Sequence, residues 1–265
     1  MKKERLDTVI HARGMTTSRE RARSEIMSGR VFVDGQRADK PGMLVPEGAQ
    51  IELRGTGPSF VSRGGYKLEK ALDTFQISPQ DLICLDCGAS TGGFTDCLLK
   101  RGAAKVYAVD VGYGQLAWAL RNDPRVICME RTNARYLTPA DIQDTPSLVV
   151  IDVSFISLRL ILPVVRDIIS DDGLVICLIK PQFEAGREKV GKKGVVRQAE
   201  THSEVLRDFM DYSRTIGFKV LGLDYSPVKG PEGNIEFLGI LSAGTINDAE
   251  FDVDSIVAKA HKELD

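Results

Sequence analysis

From residue 83 to residue 180 the chain repeats one pattern: a short run of consecutive apolar residues, then a longer stretch whose apolar positions recur every three or four. The runs predict strands at Ile83–Asp86, Lys105–Asp110, Val126–Met129, Leu148–Asp152 and Leu174–Lys180. The stretches between them predict helices at Gly93–Arg101, Gln115–Arg121 and Leu158–Ile169, and a further helix follows at Glu200–Ile216. Strands apolar along their whole length need cover on both faces, the condition of a parallel sheet flanked by helices. The pattern then breaks. Phe218–Tyr225 and Ile235–Leu241 are two strands joined by Ser-Pro-Val-Lys-Gly-Pro-Glu-Gly-Asn, with no room for a crossover helix, so one must run antiparallel. Upstream, Leu68, Ala71, Leu72 and Phe75 mark one face of a helix starting near Gly65. The stretch after Gly244 is acidic and weakly patterned, and no internal repeat is visible.

The first 55 residues follow a different rhythm. Leu6, Val9 and Ile10 form a helical stripe before Arg13-Gly14. Thr17 and Glu20 have capping-box spacing, with Ser18 as the alternative cap of a helix that turns Ala22, Ile26 and Met27 inward and ends at Gly29. Val31-Phe-Val, Asp34-Gly35 and Gln36-Arg-Ala read as a hairpin with a two-residue turn, and Ile51-Glu-Leu as a last strand. Such a module is small for an isolated core. Residues 54–66 are a glycine-rich hinge.

Charge sharpens the division. Residues 1–70 hold 14 Lys/Arg against 9 Asp/Glu, a net of +5, which leaves −7 for the rest. A basic front on an acidic body suggests an anionic partner at the front. No apolar stretch approaches the roughly 20 residues of a membrane span, and the charged start has no signal-peptide core, so a cytoplasmic protein with no membrane partner is expected. The 5 cysteines, Cys84, Cys87, Cys97, Cys128 and Cys177, fall mostly in apolar runs and read as reduced buried thiols. His11, His202 and His261 show no metal or triad arrangement, and no metal is expected.

The chemistry starts at Asp86-Cys-Gly-Ala-Ser-Thr-Gly-Gly-Phe-Thr-Asp96, where a strand ends in an acid, a glycine loop follows and a helix opens. Gly88, Gly92 and Gly93 let the backbone approach a ligand, and the helix start offers free N–H groups to a carboxylate. A dinucleotide loop reads G-x-G-x-x-G. Ser90 stands where that pattern needs its second glycine, so S-adenosylmethionine suits the loop better. Gly88, Ala89, Ser90, Thr91, Gly92, Gly93 and Phe94 would line its methionine end. Asp110, at the end of the next strand with Val111 beside it, would hold the ribose, and Asn133 and Ala134 the adenine rim. Asp86 reads as a loop-organising acid at the pocket.

Two resemblances carry the reading further. Arg5-Leu-Asp, Arg13-Gly-Met-Thr, Ser18-Arg-Glu-Arg-Ala and Gly29-Arg-Val-Phe-Val-Asp-Gly resemble the RNA-binding module named after ribosomal small-subunit protein four. The best candidates for RNA contacts are Arg5, Arg13, Arg19, Arg21, Arg23 and Arg63; the basic stretch Arg187–Arg197 is a further candidate. Ser62-Arg-Gly-Gly-Tyr-Lys-Leu, the loop at Asp86, Asp110-Val-Gly-Tyr-Gly-Gln-Leu, Asp152-Val-Ser-Phe-Ile-Ser and Lys180-Pro-Gln-Phe-Glu resemble the hemolysin A (TlyA) family of ribosomal RNA 2′-O-methyltransferases, whose catalytic domain is of the heat-shock (FtsJ-like) type. The resemblance implies a catalytic Lys-Asp-Lys-Glu set on Lys67, Asp152, Lys180 and Glu236, with cytidines of small- or large-subunit RNA as acceptors. It also implies a Rossmann-like α/β fold, a mostly parallel seven-stranded sheet ending in an antiparallel hairpin, preceded by a small α+β domain. The expected division is an RNA-binding domain over 1–54, a linker over 55–66, a methyltransferase domain over 67–244 and a C-terminal tail over 245–265.

A ribose hydroxyl is a poor acid and needs a base while it attacks a sulfonium methyl. A lysine among cations and apolar walls gives up its proton readily enough to serve. Lys180 is assigned as that base, Asp152 as the group that holds it, and Lys67 and Glu236 as groups that position the hydroxyl. Base-amino methylation would call for Asn/Asp-Pro-Pro-Tyr/Phe where this chain has Asp152-Val-Ser-Phe155. The expected partners are ribosomal RNA or ribosomal subunits, with no obligate protein partner. The alternatives are a noncatalytic RNA-binding protein and a membrane-active hemolysin.

Overall fold

The computed structural model describes residues 3–264 except 17, 28, 39, 55–59 and 231. Thr17 as a cap, the inward face of Met27 and part of the glycine-rich hinge lie outside the described residues. The chain divides into two units, Met1–Tyr66 and Lys67–Asp265.

The first unit runs β1 (Lys3–Arg5), α1 (Leu6–Ala12), α2 (Arg19–Met27), β2 (Val31–Val33), β3 (Gln36–Arg37), β4 (Leu44–Pro46) and β5 (Ile51–Leu53). The Ser18 hydroxyl caps α2 by accepting from the Arg21 amide at 3.0 Å. Asp34 and Gly35 both take positive φ, 49° and 80°, and so turn β2 into β3 with the twist a two-residue hairpin needs. Leu6, Val9 and Ile10 pack on Ala22, Ile26, Val31, Val33, Val45 and Ile51 in an all-aliphatic core. The pairing of β1 with β4, antiparallel, escapes the sequence reading because each strand is three residues long and the pairing is long-range.

A carboxylate is buried in this unit. Asp7 is fully buried and accepts from Arg5 Nε at 3.0 Å and Nη2 at 2.9 Å, while Arg19 Nε and Arg23 Nε approach it at 3.2 and 3.5 Å. The hydrogen bond from Arg5 pulls the Asp7 carboxyl down to about 2 against the cost of burial, with Arg19 helping. A depressed carboxyl stabilises the fold above its unfolded value and loses that contribution as pH falls through the folded one. Acid loosening of α1 and α2 in the full chain, followed by amide exchange, is therefore expected between pH ~4 and ~2, and Asp7→Asn removes this pH dependence. An unchanged acid limb in Asp7→Asn refutes the clamp.

The second unit is entered along α3 (Gly64–Thr74), followed by β6 (Ile83–Cys87), α4 (Gly93–Lys100), β7 (Lys105–Val109), α5 (Trp118–Arg121), β8 (Val126–Met129) and β9 (Leu148–Ile151). It continues through α6 (Leu162–Ile168), β10 (Leu174–Ile179), α7 (Pro181–Glu184), α8 (Ala199–Thr215), β11 (Lys219–Tyr225), β12 (Phe237–Ser242) and α9 (Val253–Leu264). The seven strands stand in the order β11-β12-β10-β9-β6-β7-β8, and β12 runs antiparallel to both its neighbours. Every residue of β9 and β12 is buried, as strands covered on both faces must be.

Three elements depart from the sequence expectation. The helix expected over Gln115–Arg121 shrinks to α5 because the chain first runs past Thr91, whose carbonyl accepts from the Ala117 amide. The helix expected over Leu158–Ile169 splits into a 3₁₀ turn at Leu158–Leu160 and α6, which carries Pro163 in its first turn, where the missing N–H costs nothing. The region after Gly244 contains α9, whose Val253, Val257 and Ala260 join the main core. Tyr225 donates to Glu263 at 2.6 Å and Ser203 to Asp254 at 2.7 Å, tying α9 to β11 and α8. No described helix is long and apolar enough to cross a membrane.

Candidate active site

The parallel strands deliver their carboxyl ends to one rim, where open α/β sheets bind ligands. A cleft of about 740 Å³ lies there, lined by the ends of β6, β7 and β9, by residues 132–135 and by the segment that follows β9. Gly88 forms part of its floor. Its φ is +89°, and a Cβ there would stand 2.7 Å from the Asp152 carbonyl oxygen, so only glycine lets the β6 loop cross the end of β9. The loop then docks on Asp110. One carboxylate oxygen accepts from the Ser90 amide at 2.8 Å and the other from the Gly112 amide at 2.7 Å. These bonds hold Ser90 at φ +49°.

Among the residues expected to bind the cofactor, Gly88, Ser90, Asp110, Val111, Asn133 and Ala134 line the cleft. Asn133 also caps the turn beneath it, its side-chain oxygen accepting from the Arg135 amide at 3.1 Å. Ala89, Thr91, Gly92, Gly93 and Phe94 shape the loop without forming the lining. Gly92 faces the Leu116 and Leu120 side chains and Phe94 is buried. Asp86 is fully buried behind the loop and accepts from Thr95 Oγ1 at 2.7 Å. Burial pushes its carboxyl up to about 7, the Thr95 bond opposes this, and the nearby Asp152 charge adds to it. Tyr113 and Trp118 stand 69% and 77% exposed.

The four polar residues of the expected catalytic set meet beside this cleft. Lys67, from α3, donates to Glu236 Oε2 at 2.6 Å, and both side chains are buried. Gly230 backs the pair: a Cβ there would lie 2.5 Å from Glu236 Oε1. Lys180, at the end of β10, lies 2.6 Å from Asp152 Oδ1 and donates to Ser154 Oγ at 2.9 Å. Burial works to raise the Asp152 carboxyl, but the Lys67 and Lys180 ammonium charges outweigh it and hold the group below its ordinary value. Two lysine charges thus act on Asp152, the one residue of the four that lines the cleft. Ser154 lay within a quoted motif, but sequence reading assigned it no role. Its signal is its place two residues past a strand-ending acid. Phe155 follows at φ +64°; the residue is 91% exposed, and its ring centroid lies 5.2 Å from that of Phe183.

The order of the sheet, the loop on Asp110 and the lysines around Asp152 can be compared with known proteins. The FtsJ-like methyltransferase family matches residues 60–242, and the S4 domain matches residues 4–51. This chain belongs to the FtsJ-like methyltransferase family. It is 52% identical to the Bacillus subtilis protein YqxC, over 89% of this chain and 85% of that one. It is 44% identical to TlyA of Mycobacterium tuberculosis, over 89% of this chain and 88% of the relative, which is named a 16S/23S rRNA (cytidine-2′-O)-methyltransferase. A solved Streptococcus thermophilus protein described as a hemolysin superposes with a TM-score of 0.79 at 48% identity, covering 99% of this chain and 97% of that one. As an FtsJ-like methyltransferase, this chain has the cleft of a class built around S-adenosylmethionine. The cleft's size falls within the ~300–1,000 Å³ typical of small-molecule sites. The glycine crossing at Gly88 and the Asp110 carboxylate suit an adenosyl ligand.

The S4 domain holds most of the arginines expected to meet RNA. Arg5, Arg19 and Arg23 share Asp7 and remain about half exposed, a surplus of positive charge held in one place. Arg21 pairs with Glu25 at 3.1 Å. Arg13 spends its guanidinium on the Ala49 and Glu47 carbonyls, at 2.7 Å each. Arg63 is half-buried just before α3. In the other unit, residues 187–197 are anchored by Lys189 to Glu204 and by the Val196 amide to Asn234.

Proposed function

We propose that this chain transfers the methyl group of S-adenosylmethionine to the 2′-hydroxyl of a ribose in ribosomal RNA, at cytidines of the small- or large-subunit RNA. The observation that carries the reading is the Lys180–Asp152 pair at the cleft wall, backed by Lys67 and Glu236. The name carried by the Mycobacterium tuberculosis relative supports the acceptor.

S-adenosylmethionine, when bound, supplies a methyl group on a positively charged sulfur. Asp110 would hold the ribose of that molecule, and Gly88 and Ser90 would bring backbone up to its amino-acid end. Lys180 acts as the base. Its Nζ would receive the 2′-hydroxyl proton as that oxygen takes up the methyl group. Asp152 steadies the ammonium so produced, and Ser154 fixes the direction of Nζ. Lys67 and Glu236 keep the hydroxyl and the Asp152 charge in place. Holding two bound reactants in line supplies much of the rest of the rate. Phe155 offers an exposed face on which an unstacked base can rest. The Asp7-bound arginines meet the phosphates of folded RNA.

Incubating the full-length protein with methyl-labelled S-adenosylmethionine and ribosomal subunits tests the reading. Label at alkali-resistant cytidine positions is expected. RNA binding without label would point to a noncatalytic protein, and leakage of lipid vesicles without either would point to a lytic one.

A further inference from the structure

Between Asp152 and Leu158 the chain leaves β9 and runs without regular hydrogen bonding to the 3₁₀ turn, forming one wall of the cleft. Phe155, in its middle, holds a left-handed conformation that bulky side chains rarely adopt. Backbone strain of this kind persists only where the surroundings over-determine it. Here the surroundings are the single turn α7 that follows Lys180. Lys180 reaches Asp152 and Ser154. Phe183 packs on Phe155. Glu184 Oε2 accepts from Ser157 Oγ at 2.6 Å and Oε1 from the Leu158 amide at 2.8 Å. Ser157 in turn accepts from the Arg159 amide at 3.1 Å. Three residues within five positions thus grip the wall at its start, middle and end.

We infer that Glu184 is a positioning residue of the methyl-transfer site, locking the Asp152–Leu158 wall to the turn that carries Lys180. It does not touch the reacting atoms. Its two carboxylate oxygens satisfy the Ser157 hydroxyl and the Leu158 amide together, and this sets where the strained segment ends. With both ends of the segment held by one short turn, the Ser154 hydroxyl and the Phe155 ring keep a fixed place relative to Lys180 Nζ. The Glu184→Gln side chain retains an oxygen for the Leu158 amide and an amide to meet the Ser157 hydroxyl. The Glu184→Ala side chain retains neither.

The inference rests on the ribose-methylation reading, so the test carries one readout that needs that reading and one that does not. Full-length wild type, Glu184→Ala, Glu184→Gln and Ser157→Ala are compared for methyl transfer to ribosomal subunits, for S-adenosylmethionine binding, and for amide exchange over residues 153–159. Glu184→Ala is expected to lower kcat on the order of 100-fold, as a misplacement near 1 Å does, with cofactor affinity held within about threefold. Glu184→Gln should recover most of the rate, and Ser157→Ala should fall between the two. The Leu158 amide should exchange faster in Glu184→Ala than in Glu184→Gln. The inference is overturned if Glu184→Ala keeps the wild-type kcat, if Gln is no better than Ala, or if Leu158 exchange is unmoved. Should Glu184→Ala fail to fold, Ser157→Ala, which removes one of the same two bonds from the other side, decides the matter by the same readouts. Absence of transfer by the wild type counts against the ribose reading, and the exchange result then decides the clasp.

Discussion

Full-length Lys180→Met protein is expected to bind S-adenosylmethionine as wild type does and to transfer methyl groups roughly 10²–10⁴-fold more slowly, the range by which a positioned acid or base speeds a reaction. Methionine keeps an unbranched stem of similar length at the buried end of β10, with sulfur in place of one methylene, and removes the nitrogen. The cofactor is expected to lie against Gly88, Ser90 and Asp110, and none of these is in hydrogen-bond contact with Lys180, so affinity and turnover should separate. Equilibrium binding and single-turnover transfer to ribosomal subunits measure the two quantities. A second consequence follows from Asp152. Its carboxyl lies below the ordinary value because two ammonium groups outweigh the cost of burial. With one of them gone, the carboxyl must move upward, and carboxylate titration in the variant reads that direction. Undiminished turnover in Lys180→Met removes Lys180 from the role of base.

Glu236→Ala is expected to destabilise the second unit by roughly 3 kcal/mol, near the low end of the 3–5 kcal/mol for removing one partner of a buried ion pair. The Lys67 ammonium is buried, and the change takes away the carboxylate 2.6 Å from it. The value stays at the low end because the Asp152 charge still faces Lys67. In a unit of this size the loss should lower the melting temperature by about 6–12 °C. Replacing the pair together, Lys67→Met with Glu236→Leu, should return most of that stability, since two apolar side chains no longer carry charge into the interior. It should not return activity. Thermal unfolding of the three proteins beside their transfer rates separates the structural cost of the pair from its part in the chemistry. A Glu236→Ala protein that melts with the wild type shows that the pair contributes nothing to folding.

How far each part could be read in advance depended on how local its signal is. The strands β6 to β10 announce themselves as largely apolar runs, since strands covered on both faces are mostly apolar. The reversal at β12 follows from a nine-residue connection that no crossover helix can fit. The Asp34-Gly35 turn is readable because few other pairs tolerate positive φ twice in succession. By contrast, β1 and β4 are three residues each and acquire their identity only by meeting each other. The helix α9 is amphipathic but sits in an acidic stretch, and its apolar side is legible only against α8 and β11. Within the site, Gly88, Asp110 and Lys180 stood out because a glycine, an acid or a lysine at the end of an apolar strand requires a reason. Ser154 and Glu184 did not, because serine and glutamate are ordinary residues in ordinary loops. Their partners, at positions 180, 157 and 158, are decided by the sheet order.

Lys67 and Glu236 entered through the family resemblance; by itself, the sequence determined the strand and helix alternation, the reversed hairpin, the glycine loop between Asp86 and Asp110, and the place of Asp152 and Lys180 at strand ends. All of these are set by short-range patterns of burial and backbone freedom. Only the tertiary structure decided that Lys67 reaches Glu236 across 169 positions of chain, that Lys180 and Lys67 both act on Asp152, that Asp7 gathers Arg5, Arg19 and Arg23, and that Glu184 clasps the cleft wall. The reason is physical: a buried charge must find its partner, and which partner lies within 3 Å is a property of how strands stack side by side, not of their order along the chain.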